Sequence, residues 1–78
     1  MALDVSLLSP DRIIFKGEAK SIIVPGEQGS FEILAFHKRI ISRLFTGILD
    51  IDGERFSVKR GIIKVDKNKV TIIIEEKA

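Results

Sequence analysis

Apolar and polar residues alternate along most of this chain with a period of two. Leu3, Val5 and Leu7 are separated by Asp4 and Ser6, the signature of a strand with one buried face. Pro10-Asp11 ends that run, proline by fixing φ and aspartate by offering a local side-chain hydrogen bond. Ile13-Ile14-Phe15 is β-branched and aromatic, and Gly17 interrupts it where a bulge or turn fits. Ser21–Val24 reads as a strand stopped by Pro25-Gly26, and Gln28-Gly29 is a second flexible point before Phe31–Leu34. Gly47–Ile51 reaches Asp52-Gly53, a strong hairpin signal. Phe56 and Val58 then alternate with Arg55, Ser57 and Lys59. Ile62–Val65 follows, Asp66-Lys67-Asn68 turns, and Val70, Ile72 and Ile74 close the pattern. Short strands punctuated this often predict an all-β sandwich or barrel.

One segment departs from alternation. In Phe36–Phe45 the apolar residues Phe36, Ile40, Ile41, Leu44 and Phe45 follow the spacing of a helix face. Isolated helices this short are marginal, and Ile and Phe are middling helix formers, so an extended segment competes with the helix and is preferred.

With 78 residues, residues 1–78 form a single domain, and a chain this short buries only about 60% of its unfolded surface. There is no cysteine for disulfides or thiolate chemistry, and the one histidine is too few for a histidine-based metal site. A partner is then the natural source of extra stability. Leu8, Ile14, Ile23, Ile48 and Ile62 support that view, being apolar on the parity opposite to their inward neighbours. Among the five phenylalanines, Phe15, Phe31 and Phe56 are assigned to the core, and Phe36 is the candidate exposed anchor. The net charge of +2 does not point to nucleic acid. No signal peptide is visible, and no apolar run approaches the ~20 residues needed to span a bilayer. The chain reads as soluble and cytosolic, compatible with docking on a membrane complex.

Candidate chemistry is sparse. His37 has no serine or cysteine nucleophile signature and no second ligand at recognisable spacing, so a surface or packed histidine is the simpler reading. The acidic pairs Asp50/Asp52 and Glu75/Glu76 lie at a hairpin and near the terminus, where solvated charge is the default. No catalytic residue, metal ligand or cofactor site is assigned. Lys38, Arg39 and Arg43 form a local cationic excess, since no acid occurs between His37 and Leu49. Cations on a strand edge discourage aggregation, and they also suit carboxylates or anionic lipid head groups. A small basic β module for single-stranded nucleic acid is the rival function, weakened by the absence of Tyr and Trp.

The motifs, taken in order, resemble the epsilon subunit of the F-type ATP synthase, specifically its N-terminal β-sandwich domain. They are Ser9-Pro10-Asp11, Phe15-Lys16-Gly17-Glu18 and Val24-Pro25-Gly26-Glu27-Gln28-Gly29-Ser30-Phe31-Glu32-Ile33-Leu34. Gly47-Ile48-Leu49-Asp50-Ile51, Gly61, Asn68-Lys69-Val70-Thr71 and Glu75-Glu76 complete the set. The family usually continues I-L with P-G-H-A-P-L-L, whereas this chain has Ala35-Phe36-His37-Lys38-Arg39-Ile40-Ile41. Glu32 stands for a customary glycine, and Lys59-Arg60 for a serine-glycine pair. Most members continue into a two-helix hairpin that these residues do not include.

The resemblance implies a small antiparallel β-sandwich of two packed sheets. It also implies a non-catalytic rotor subunit, without the hairpin's inhibitory role, in a proton- or sodium-translocating synthase. The implied partners are the gamma subunit and the ring of membrane c subunits, with the chain a monomer within a hetero-oligomer. Its implied location is peripheral, on the cytoplasmic face of the inner membrane. Gly26, Glu27, Gln28, Gly29, Ser30 and Phe31 become candidate c-ring contacts, with Phe36, His37, Lys38 and Arg39 as a second loop facing the ring. Apart from the resemblance, an ordinary hairpin explains Gly26 and Gly29 through positive φ alone. The gamma-binding face is not legible in the pattern.

Overall fold

The computed structural model describes residues 2–77. They form eight strands: β1 (Leu3–Leu8), β2 (Ile13–Ala19), β3 (Ser21–Gly26), β4 (Gly29–Leu34), β5 (Ile40–Leu44), β6 (Gly47–Ile51), β7 (Glu54–Asp66) and β8 (Lys69–Glu76). The contested segment is extended: after a turn it becomes β5, paired with β7 from Ile40–Val65 to Leu44–Gly61. Ladder hydrogen bonds and burial of Leu44 outweigh the helical spacing.

Hydrogen bonding runs β2-β1-β8-β7-β5-β3-β4, with β6 bridging β3 and β7. β7 belongs to two layers. Its start, Glu54–Val58, pairs with β6, and its remainder pairs with β8 on one side and β5 on the other. The register irregularity between Val58 and Arg60 marks the passage, as expected where a strand bends between sheets. One layer is therefore β2-β1-β8-β7-β5, and the other is β4-β3-β6 with the start of β7. A single bridge between Gly26 and Leu44 joins them again, supported by the Phe45 N–H donating to the Pro25 carbonyl at 2.8 Å. All ladders are antiparallel except β1–β8, which is parallel.

Several local expectations need revision. β2 continues through Gly17, and the bulge instead falls opposite Leu7/Leu8, at Ile14. β3 extends through Pro25 and Gly26. Gly61 lies inside β7, where an added Cβ would collide with the Ile73 carbonyl of β8. In the Pro10 turn the hydrogen-bonding side chain is Ser9, not Asp11. Its Oγ accepts from the N–H groups of Asp11 (3.3 Å) and Arg12 (3.2 Å). The Asp52-Gly53 hairpin is as expected. Asp52 and Gly53 take φ of 49° and 91°, and Lys67 and Asn68 take 51° and 63°, each a two-residue turn twisted to suit its strands.

Every strand contributes to one aliphatic core, including Leu3, Ile22, Leu49, Ile63 and Ile72, each fully buried. The phenylalanines do not fill it. Phe15, Phe31 and Phe56 are half-buried and pack against its margin, with the Phe15 and Phe56 rings edge to face at 6.3 Å. Branched aliphatic side chains from both layers already occupy the narrow interior, leaving the rings the rim.

Candidate docking surfaces

The outer face of the five-stranded layer carries a row of apolar side chains in cross-strand register. Ile13 of β2 pairs with Leu8 of β1, Leu8 with Ile73 of β8, and Ile73 with Ile62 of β7. Ile13, Ile73 and Ile62 are 61%, 44% and 42% exposed. The next position, on β5, is Arg43, whose guanidinium lies 5.9 Å from the Phe45 ring centroid. A cleft of about 590 Å³ opens beside this row, lined by Pro10, Phe45, Arg60, Ile62, Ile73 and Glu75 among others. One row away the face turns polar, with Lys16, Ser6, Thr71 and Lys64 in register.

This row collects two of the five two-sided positions noted in the sequence, Leu8 and Ile62, and adds two that were missed. Ile73 is hidden within Ile72-Ile73-Ile74, where only alternation from Val70 shows that the middle residue points outward. Ile13 reaches the row because the bulge at Ile14 resets the register. Ile14 itself is half-buried against the core. Ile23 and Ile48 lie in the other layer, where Ile23 is flanked by Glu32 and Asp50 and Ile48 by Ser57. Among the described residues, that face has no comparable apolar row.

The c-ring candidates do not form one patch. Gly26 and Gly29 close the β3–β4 hairpin, whereas Leu34 and the loop after it lie at the far end of β4, beside Ser21. Five steps of strand separate Gly29 from Leu34, about 17 Å. The two segments thus bracket β4, an edge strand whose outward residues Ser30, Glu32 and Leu34 are exposed. The substituted Glu32 fits there: its Oε2 accepts from the Ser21 hydroxyl at 2.6 Å.

At the hairpin the two glycines have different jobs. Gly29 takes φ of 110°, a region that favours glycine. Gly26 does not; it is small because a Cβ would come within 2.6 Å of the Phe31 ring. Its space is filled by its own hairpin. Glu27 lies 3.6 Å from Arg43, so part of the cationic excess is answered across the fold. Both groups are well exposed, and such pairs contribute about 0–1 kcal/mol.

The second loop is built around Phe36, which is 73% exposed with φ of 67°. A left-handed conformation costs a residue with a Cβ about 1–2 kcal/mol, and glycine nothing comparable. The next residue, His37, donates its N–H to the Leu34 carbonyl at 3.2 Å, and its Nδ1 lies 2.7 Å from the Lys38 carbonyl. A carbonyl only accepts, so Nδ1 carries the proton. Lys38 and Arg39 are exposed.

The acidic residues that looked merely solvated have structural partners. Asp52 accepts from the N–H groups of Lys20 (2.9 Å) and Ser21 (2.9 Å), fastening the β2–β3 corner to the β6–β7 hairpin. Asp50 caps Gly53 N–H at 2.7 Å. Glu76 receives both contacts of Arg12 at 3.0 Å. Glu75 pairs with Arg60 across β7 and β8, and that hydrogen bond holds its carboxyl below the usual glutamate range. The same bond raises the Arg60 guanidinium further.

Two packed layers of strands, with the charged and exposed apolar residues on outer strands and turns, place the chain in the class of small all-β sandwich domains. The chain is a member of the family described as ATP synthase, delta/epsilon chain, β-sandwich domain, whose model matches residues 2–77. It is similar to the ATP synthase epsilon chain of Sulfurimonas denitrificans, at 38% identity across 94% of this chain and 60% of that protein. The epsilon chain of Leptospira borgpetersenii is 41% identical across 97% of this chain and 63% of that protein. The chain thus spans about three-fifths of these relatives. In fold it matches a chain in the structure of the Euglena gracilis mitochondrial ATP synthase containing OSCP, F1 and the c-ring. That match has a TM-score of 0.85 and 21% identity, covering 94% of this chain and 50% of that one. A chain in the Tetrahymena thermophila mitochondrial ATP synthase central stalk and c-ring gives a TM-score of 0.80 at 19% identity, covering 97% and 65%.

Proposed function

We propose that this domain is a non-catalytic part of an ATP synthase rotor that helps couple ion flow to ATP synthesis. In this reading it docks on the gamma subunit through the outer face of the five-stranded layer. It meets the polar loops of the c-ring along β4, with the Gly26–Phe31 hairpin at one end and the Phe36–Arg39 loop at the other. It works at the cytoplasmic face of the membrane, held there by its protein partners.

The observation that carries the reading is the register of Ile13, Leu8, Ile73 and Ile62, a continuous apolar row on a member of this family. Such a row is worth little to a free domain and much to one covered by a partner. Lys38 and Arg39 suit carboxylates on the ring, which predicts affinity that weakens with salt.

Co-purification with the gamma subunit and the c-ring tests the proposal. The expected result is a stable complex with gamma, tightened by the ring, and weakened at high salt only in the ring contribution. A well-folded domain that binds neither overturns it. Nothing in the fold favours the nucleic-acid alternative, because Phe15, Phe31 and Phe56 pack on the core instead of forming a stacking platform.

A further inference from the structure

Asn68 joins three segments that are far apart in sequence. Its backbone carbonyl accepts from the N–H of Asp4 at 2.8 Å, at the start of β1. Its side-chain Oδ1 accepts from the N–H of Phe36 at 2.6 Å, in the loop between β4 and β5. Its own φ of 63° forms the second position of the β7–β8 turn. Asparagine is suited to all of this at once. It tolerates the left-handed region better than most residues with a Cβ, and its short amide carries an acceptor. The donor from Phe36 also fixes the amide orientation, since only the oxygen accepts.

We propose that Asn68 is the positioning residue of the Phe36–Arg39 loop, holding Phe36 in its left-handed conformation so that the ring and the adjacent cations face outward for the rotor. Phe36 has no glycine-like freedom to adopt φ of 67° without cost, so a restraint beyond the turn's own His37–Leu34 bond of 3.2 Å holds it there. The Phe36 N–H bond to Asn68 is that restraint. This inference rests on the reading that the loop is a rotor contact, but the restraint itself is measurable in the free domain.

Three variants separate the roles. Asn68→Gly keeps the left-handed turn and removes the acceptor. Asn68→Asp keeps both. Phe36→Gly removes the ring and the need for restraint. Amide hydrogen exchange of Phe36, followed by NMR in the free domain, is expected to accelerate at least tenfold in Asn68→Gly and to stay near wild type in Asn68→Asp. Affinity for a purified gamma–c-ring complex is expected to fall about tenfold in Asn68→Gly, the scale of losing one well-placed hydrogen bond, and to be retained in Asn68→Asp. Unchanged Phe36 exchange in Asn68→Gly overturns the proposal, as does an equal loss of affinity in both Asn68 variants. If wild type fails to bind the rotor, the docking proposal falls, and Phe36 exchange alone then decides the role of Asn68.

Discussion

Small side chains and strained ones carry much of the local specificity. Phe36 occupies a left-handed position while nearly three-quarters exposed, so it gains little from burial and pays conformational strain. Phe36→Gly should therefore leave the urea midpoint unchanged or raise it, relief of about 1 kcal/mol being partly offset by extra freedom in the unfolded chain. A loss above that size would mean the ring packs in solution. Gly26 is the opposite case, a residue whose smallness is required by packing. Gly26→Ala should destabilise by about 1–3 kcal/mol, because the new methyl meets both the Phe31 ring and the Gly29 carbonyl. Adding Phe31→Leu should recover part of the loss, and equilibrium unfolding of the single and double variants measures that coupling. Motif reading found both positions but assigned Gly26 the wrong reason, because a clash inside a hairpin has no signature in residue order.

Strand β7 shows how one element organises two layers. Its alternation was legible up to Lys59 and apolar residues resume at Ile62, with Lys59-Arg60-Gly61 where the two runs meet. These residues form the bend, with Gly61 tight against β8 and Arg60 paired to Glu75 over the adjoining strand. The Glu75 carboxyl is held below its ordinary value, chiefly by the Arg60 hydrogen bond. Stability from this pair is thus present in full above the unfolded glutamate range and is lost as pH falls through the lowered folded value. Glu75→Gln should lower the thermal midpoint slightly at neutral pH, with the two proteins converging in acid. High salt should narrow the neutral-pH gap, because the pair is exposed. A gap that persists in strong acid would assign the effect to packing instead of charge.

For the whole molecule, the apolar row matters because it crosses two strand pairs, β2–β1 and β8–β7, from opposite ends of the chain. Ile73→Asp should leave the fold intact, since the side chain points away from the core, and should reduce gamma binding at least tenfold. Circular dichroism and titration with gamma check both halves, and unaltered binding would remove this face from the proposed interface. The same change at neighbouring Ile72, which is fully buried, should instead prevent folding. The Phe36–Arg39 loop lies away from the row, whereas the Gly26–Phe31 hairpin abuts it through the Glu27–Arg43 pair, so the proposed c-ring contacts are tested at the loop without disturbing the proposed gamma face.

Sequence alone determined the strand content, most turns and the family, because alternation, turn residues and ordered motifs are local properties of the chain. It also revealed that some strands are apolar on both sides. It did not reveal which of those residues meet. The parallel pairing of β1 with β8, the bulge at Ile14 and the bend in β7 brought Ile13, Leu8, Ile73 and Ile62 into one row. The same tertiary pairing set the two candidate c-ring segments at opposite ends of β4 and placed Asn68 against Phe36. Register between distant strands is decided by core packing and ladder hydrogen bonds formed together, and no local pattern encodes it.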